Sequence, residues 1–157
     1  MTNTMPPVEY LTLPTLVPYP EAVQAMEQRV AAITVGEASE LIWMLEHPAL
    51  YTAGTSASDD ELIDPHGFPV YVTGRGGRYT YHGPGQRVIY VLHDLRSRAR
   101  DVRAHICRLE NWIIQTLRAF DILGERREGR VGIWVTTQGR EEKIAAIGVR
   151  VRHWITY

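Results

Sequence analysis

Five of the thirteen glycines fall within fourteen residues, Thr73 to Gln86, which read TGRGGRYTYHGPGQ. Clustered glycine serves backbone angles closed to other residues, or the close approach of a ligand to the main chain. Either use makes this segment a loop that ordered structure must hold from both sides. Pro69-Val70-Tyr71-Val72 enters it as a strand and Val88 to Leu92 (VIYVL) leaves it as another, so the two are expected to flank it as a long hairpin. Gly83-Pro84-Gly85 is a tight turn with one fixed φ between two free ones, placed to hold Tyr81 and His82. A phosphate cradle is disfavoured. Neither G-x-G-x-x-G nor G-x-x-x-x-G-K-[ST] fits the spacing, and no helical pattern follows to lend a dipole.

Around this loop the periodicity alternates between helix and strand. Val23, Met26, Val30 and Ile33 mark an amphipathic helix over 20–33, and Leu41 to Leu45 (LIWML) is a short buried strand stopped by Glu46-His47-Pro48. Val102, Ile106, Leu109, Ile113, Leu117 and Phe120 form one stripe of a long helix over 99–120. Val131 to Thr136 is a strand, Thr137 to Arg140 a turn, and from Lys143 onward the period is two. The expected class is α+β, a mixed sheet flanked by helices, in a single domain spanning 1–157. A net charge of −1 gives no field for nucleic acid or an anionic membrane. No apolar run reaches transmembrane length, and the start MTNTMPPVEYLTLPTLVPYP reads as no secretory leader. With one cysteine, Cys107, a cytoplasmic protein without disulfides is expected. The six histidines show no metal-ligand spacing, so neither metal nor cofactor is expected.

Of seventeen basic residues sixteen are arginine; the sole lysine is Lys143. An ammonium is a compact charge that burial can tune, whereas a guanidinium stays protonated. The choice lies between a chemical role for Lys143 and a solvated loop lysine. Lys143 shares parity with Ala145, Ile147 and Val149, so an unbroken strand would turn it to the apolar side and partly desolvate it. Cys107 falls roughly 120° from the centre of its helix stripe at ~100° per residue, as a structural or surface thiol would. His47 is placed to organise a strand end, and His82 to meet a ligand. His93-Asp94 reads as a strand-to-helix turn. Arg96, Arg98, Arg100, Arg103 and Arg108 form a basic segment, read as a solvated face neutralised by nearby acids, with docking of an acidic partner as the alternative.

Three motifs resemble one family. Arg75-Gly76-Gly77 with Tyr81-His82-Gly83-Pro84-Gly85-Gln86 is similar to the signature of bacterial octanoyltransferases of lipoate biosynthesis. Leu45-Glu46-His47-Pro48 with Tyr51-Thr52 resembles their upstream strand end, and Lys143 to Gly148 (KIAAIG) their second motif. Lipoate ligases continue His-Asp-x-Gly-Asn where this chain has His82 to Gln86. Biotin ligases carry Gly-Arg-Gly-Arg-x-Gly-Arg where Gly74-Arg75-Gly76 is followed here by Gly77.

The resemblance implies a biotin/lipoate protein ligase catalytic-domain-like fold, also described as class II aminoacyl-tRNA synthetase/biotin ligase-like. It implies transfer of an octanoyl group from octanoyl-acyl carrier protein to a lysine of lipoyl domains, those of 2-oxoacid dehydrogenases and the glycine cleavage H protein. The transfer runs through a cysteine thioester, without ATP. Arg75, Gly76, Gly77, Arg78, Tyr79, Thr80, Tyr81 and His82 are then expected to line the acyl site together with Ala146, Ile147 and Gly148. Lys143 is expected to lower the pKa of a cysteine that lies beyond these 157 residues, so that the chain alone is inactive. The alternatives are a non-catalytic module that binds an acyl chain or carrier protein, and an ATP-dependent ligase.

Overall fold

The computed structural model describes residues 7–157; residues 1–6 of the stretch read for a leader lie outside the described residues. In chain order the elements are β1 (Val8–Leu16), α1 (Tyr19–Val35), β2 (Glu40–Glu46), β3 (Leu50–Ala53), β4 (Val70–Val72), β5 (Tyr79–His82) and β6 (Val88–Leu92). After these come α2 (Val102–Arg118), β7 (Glu125–Arg127), β8 (Arg130–Thr137), β9 (Arg140–Ala145), β10 (Val151–Arg152) and β11 (Ile155–Thr156). The class is α+β, as expected. The residues up to Arg100, with Val149–Tyr157, make one compact unit, and Asp101–Gly148 make another. Among the described residues no helix is long and apolar enough to cross a membrane.

In the first unit β2 is central, parallel to β1 on one side and antiparallel to β6 on the other. A strand covered on both faces needs an unbroken apolar run, which LIWML supplies. Leu41, Trp43 and Leu45 pack with Ala22, Met26, Val30 and Ile33 of α1, and with Leu92 and Ile155. Each large side chain buried there contributes about 1.5–3 kcal/mol. Gly36 closes α1 in the left-handed conformation at φ 81°, freeing Glu37 to donate to the Ala32 carbonyl at 2.9 Å.

Strand β1 was not foreseen, because Pro14 interrupts the pattern. It is the outer strand of its sheet, and its register slips between Thr12 and Leu16, where that proline lies. Proline is tolerated at such an edge because the missing N–H faces away from the ladder. The expected hairpin around the glycine loop is not formed. Strand β4 runs parallel to β3 and β6 pairs with β2, while β5, inside the glycine segment itself, runs antiparallel to β3. Periodicity marks where a strand lies and says nothing about its partner.

In the second unit β8 is paired antiparallel on both sides, by β7 and β9. Asp101 caps α2 by accepting from the Ala104 N–H at 2.9 Å. Glu110, buried on α2, is held by Arg126 Nε at 2.5 Å. The β8–β9 turn is carried by Gln138 (φ 51°) and Gly139 (φ 78°), both left-handed as a two-residue hairpin requires.

Candidate functional site

The glycine loop of the first unit is closed by Arg75. Its Nη2 donates to the Thr52 carbonyl (2.9 Å), the Thr52 hydroxyl (2.7 Å) and the Arg78 carbonyl (3.0 Å), and its Nη1 to the Gly76 carbonyl (3.0 Å). The guanidinium therefore ties the Gly76 and Arg78 carbonyls of the loop to Thr52 of strand β3. From behind, Gly76 N–H donates to the Val149 carbonyl at 3.3 Å, and the Arg150 side chain lies where a Cβ on Gly74 would stand. The next turn is fixed as well. Gly85 (φ 85°) donates to the Glu46 carboxylate at 2.8 Å, and the Tyr81 ring fills the space a side chain on Gly83 would need.

Strand alternation divides the expected site residues between two faces. Thr80 and His82 share a face with their partners Thr52 and Leu50; Tyr79 and Tyr81 share the other with Ala53 and Tyr51. Tyr81 packs there on Tyr51 (centroids 5.5 Å apart) and Phe68 (6.0 Å). One ligand on the His82 face cannot also rest on the rings of Tyr79 and Tyr81. Arg78, just before the strand, is exposed and paired with Glu61.

The His82 face is aromatic, with His47 buried and Tyr19, Tyr71, His82 and Tyr90 half-buried. His47, fully buried, stands 5.9 Å from the His82 ring, 5.9 Å from Tyr90 and 5.5 Å from Tyr19, which itself stacks on Tyr71 at 5.0 Å. The Val17 carbonyl accepts from His47 Nδ1 at 2.5 Å, so Nδ1 carries the proton, and the Tyr90 hydroxyl donates to Nε2 at 2.8 Å. Burial raises the pKa of both Tyr19 and Tyr90, so both phenols stay neutral. Sequence reading missed Tyr19, Tyr71 and Tyr90. A tyrosine on a helix start or strand looks like ordinary core, and only the pairing of β2 with β6 brings Tyr90 to His47.

Both histidines titrate below the ordinary value of 6.5, burial being the first cause. The Val17 bond opposes this for His47. For His82 Gln86 opposes it, while His47 and Arg75 add to it. With folded pKa values below the unfolded one, the unfolded chain takes up protons first as pH falls. Stability is thus full above about 6.5 and lost as pH drops through the depressed values. Tm is expected to fall between about pH 7.5 and about pH 5 in thermal melts, with a shallower fall in His47→Gln.

Lys143, Ala146, Ile147 and Gly148 belong to the second unit. The expected desolvation of Lys143 is corrected. In the β8–β9 ladder Ala145 faces Ile133 and Lys143 faces Trp134, so Ile144 is an extra residue in a β-bulge. The bulge puts Lys143 and Ala145 on opposite faces. Lys143 is exposed, its ammonium 5.1 Å from the Trp134 ring centroid. The strand stops at Ala145, so alternation past that point does not hold. Cys107 is exposed on α2. Of the basic segment, Arg98 is bound to the buried Glu40, Arg96 to Asp94 and to the Ile33 and Thr34 carbonyls at the end of α1, and Arg100 lies 5.8 Å from the Trp154 ring. Arg103 and Arg108 are exposed on α2.

The lipoyl protein ligase A/B catalytic domain family matches residues 18–157. An octanoyltransferase of Paramagnetospirillum magneticum is 64% identical over 152 residues, covering 96% of this chain and 72% of the relative. One from Cereibacter sphaeroides is 57% identical over 162 residues, covering 98% and 74%. One from Brucella suis is 56% identical, and the chain spans 60% of it. Among solved structures, a bi-partite lipoate protein ligase of Thermoplasma acidophilum, studied with its E2 lipoyl domain, aligns with TM-score 0.63 at 14% identity over 94% of this chain and 58% of that one. A putative lipoate protein ligase of the same organism with bound lipoic acid gives 0.61 at 14% identity, over 98% and 66%. These distant structures share the fold. The chain belongs to the lipoyl protein ligase A/B catalytic domain family and, within it, to the octanoyltransferases.

Proposed function

We propose that these residues form the acyl-receiving part of an octanoyltransferase, which takes an octanoyl group from octanoyl-acyl carrier protein and passes it to a lysine of a lipoyl domain. The observation that carries the reading is the glycine loop closed on its own carbonyls by Arg75, beside the neutral aromatic face of Tyr19, His47, Tyr90 and His82. Such a wall suits an uncharged thioester with an apolar tail, whose burial is worth ~0.8 kcal/mol per methylene. The loop runs into strand β5 rather than a helix N-terminus, an arrangement that suits a preactivated acyl group better than a nucleotide.

In this reading Arg75, Gly76, Gly77, Thr80 and His82 meet the acyl group by main chain or side chain, and Arg78, Tyr79 and Tyr81 contribute backbone only. Ala146, Ile147 and Gly148 enter this reading through the family resemblance of their motif alone. Lys143 serves a cysteine thiolate, whose pKa a nearby ammonium lowers. That cysteine is not Cys107, and the acceptors are the lipoyl domains of 2-oxoacid dehydrogenases and the glycine cleavage H protein.

Mixing the protein with octanoyl-acyl carrier protein tests both halves. Amide resonances of residues 74–82 are expected to shift, and denaturing mass spectrometry is expected to find no covalent octanoyl adduct. Unmoved loop resonances would dispose of the acyl site, and an adduct on Cys107 would dispose of the separate nucleophile.

A further inference from the structure

Gln86 bridges the end of β5 back to His82. Its amide nitrogen donates to the Tyr81 carbonyl at 3.0 Å, which leaves its oxygen facing His82 Nδ1 at 2.7 Å. A carbonyl accepts only, so the amide cannot be turned round without setting two oxygens against each other. An amide oxygen in turn requires a proton on Nδ1. On the other side of the ring, Nε2 lies 3.3 Å from the Thr52 hydroxyl, which already accepts from Arg75 Nη2 at 2.7 Å. With Arg75 donating to that hydroxyl, its own hydrogen is free to point at Nε2. The chain of donors runs Arg75 to Thr52 to His82 to Gln86 to the Tyr81 carbonyl, with every member in one orientation.

We propose that Gln86 is a positioning residue which holds His82 as the neutral Nδ1–H imidazole, so that Nε2 is presented to the site as a hydrogen-bond acceptor. This rests on the acyl-site reading for its use and not for its truth. The Thr52 contact is longer than an ordinary hydroxyl bond, so a substrate donor such as the N–H of an attacking amine can replace it. The imidazole then orients that amine rather than polarising the thioester carbonyl. The groups facing His82 are His47 through its ring, Arg75 through Thr52, and Gln86. His47, held in the same tautomer by the Val17 carbonyl, offers His82 no competing N–H of its own.

Two-bond nitrogen–proton spectra of the labelled protein at pH 7.5 read the tautomer directly, with the His82 signals identified by their loss in His82→Asn. The unvaried protein is expected to show Nδ1 protonated and Nε2 bare. Gln86→Glu keeps an acceptor at Nδ1 but loses the donor to the Tyr81 carbonyl; the ring is expected to keep its Nδ1 proton and to be pushed toward the imidazolium by the carboxylate. Gln86→Leu is expected to lower the Nδ1–H to Nε2–H ratio about five- to tenfold, the worth of one neutral hydrogen bond. An Nε2–H tautomer or an imidazolium in the unvaried protein overturns the proposal, as does an unchanged ratio in Gln86→Leu. The readout needs no acyl donor, so loss of the transfer reading leaves it standing and its own failure leaves that reading untouched.

Discussion

Arg98→Ala is expected to lower the unfolding free energy by about 3–5 kcal/mol, the cost of stranding one member of a buried ion pair. Glu40 is 1% exposed and the Arg98 side chain 10%. Arg98 Nη2 donates to Glu40 Oε2 at 2.6 Å, and its Nη1 reaches both Oε1 and the Asp94 carbonyl. Without the guanidinium, the carboxylate still accepts from the Asp94 N–H at 2.7 Å but has lost its counter-charge. Glu40 begins the central strand β2 and Asp94 follows β6, so the pair clasps the open end of the sheet. A urea midpoint shift at constant m measures the loss, and a double replacement, Glu40→Leu with Arg98→Met, is expected to recover most of it. A loss below about 1 kcal/mol would mean that water reaches the pair and that the clasp contributes as a surface bridge does.

Gly54→Ala is expected to cost about 2 kcal/mol or more, and Gly54→Val more again, with displacement of the glycine loop. A Cβ at this position would overlap the Gly77 carbonyl oxygen and come within 2.6 Å of Arg75 Nη1 and 2.8 Å of the Gly77 carbonyl carbon. Backbone cannot yield as a side-chain tip can. Gly54, Thr55 and Ser56 donate in turn to the Arg78, Arg75 and Gly77 carbonyls at 3.2, 2.9 and 3.1 Å, so the exit of β3 and the loop lie main chain on main chain. Gly36→Ala is the contrast. Nothing stands near its missing Cβ and only the positive φ is strained, so a loss of about 1 kcal/mol is expected there. Chemical denaturation gives both numbers. Loop amide shifts in Gly54→Ala that match the unvaried protein would show that the close approach is not there.

Much of this was legible in the sequence. The stripe at Met26, Val30 and Ile33 and the run LIWML both turn out buried against each other, because a burial signal depends only on local spacing. The glycine cluster correctly marked backbone angles closed to other residues, as at Gly77 (φ 92°) and Gly85 (φ 85°). What failed depended on partners. Strand β5 hid inside a segment read as loop, and the hairpin dissolved into two sheets, because pairing is decided between residues far apart in sequence. One bulged residue, Ile144, reversed the parity argument for Lys143. Thr52 and Gln86 stood within quoted motifs, yet their roles follow from donor direction, which letters do not carry.

The exposure of Lys143 has a chemical corollary. It is the sole side-chain amine among these 157 residues, and every other cationic side chain that stays charged at neutral pH is a guanidinium, too weak a nucleophile to open a thioester. Several of those guanidiniums are occupied on carbonyls, as Arg29, Arg75, Arg96 and Arg126 are on Ser39, Thr52, Ile33 and Cys107. Among the side chains only Lys143 could therefore trap an octanoyl group as a stable amide, whereas one passed to the exposed Cys107 would remain a reversible thioester.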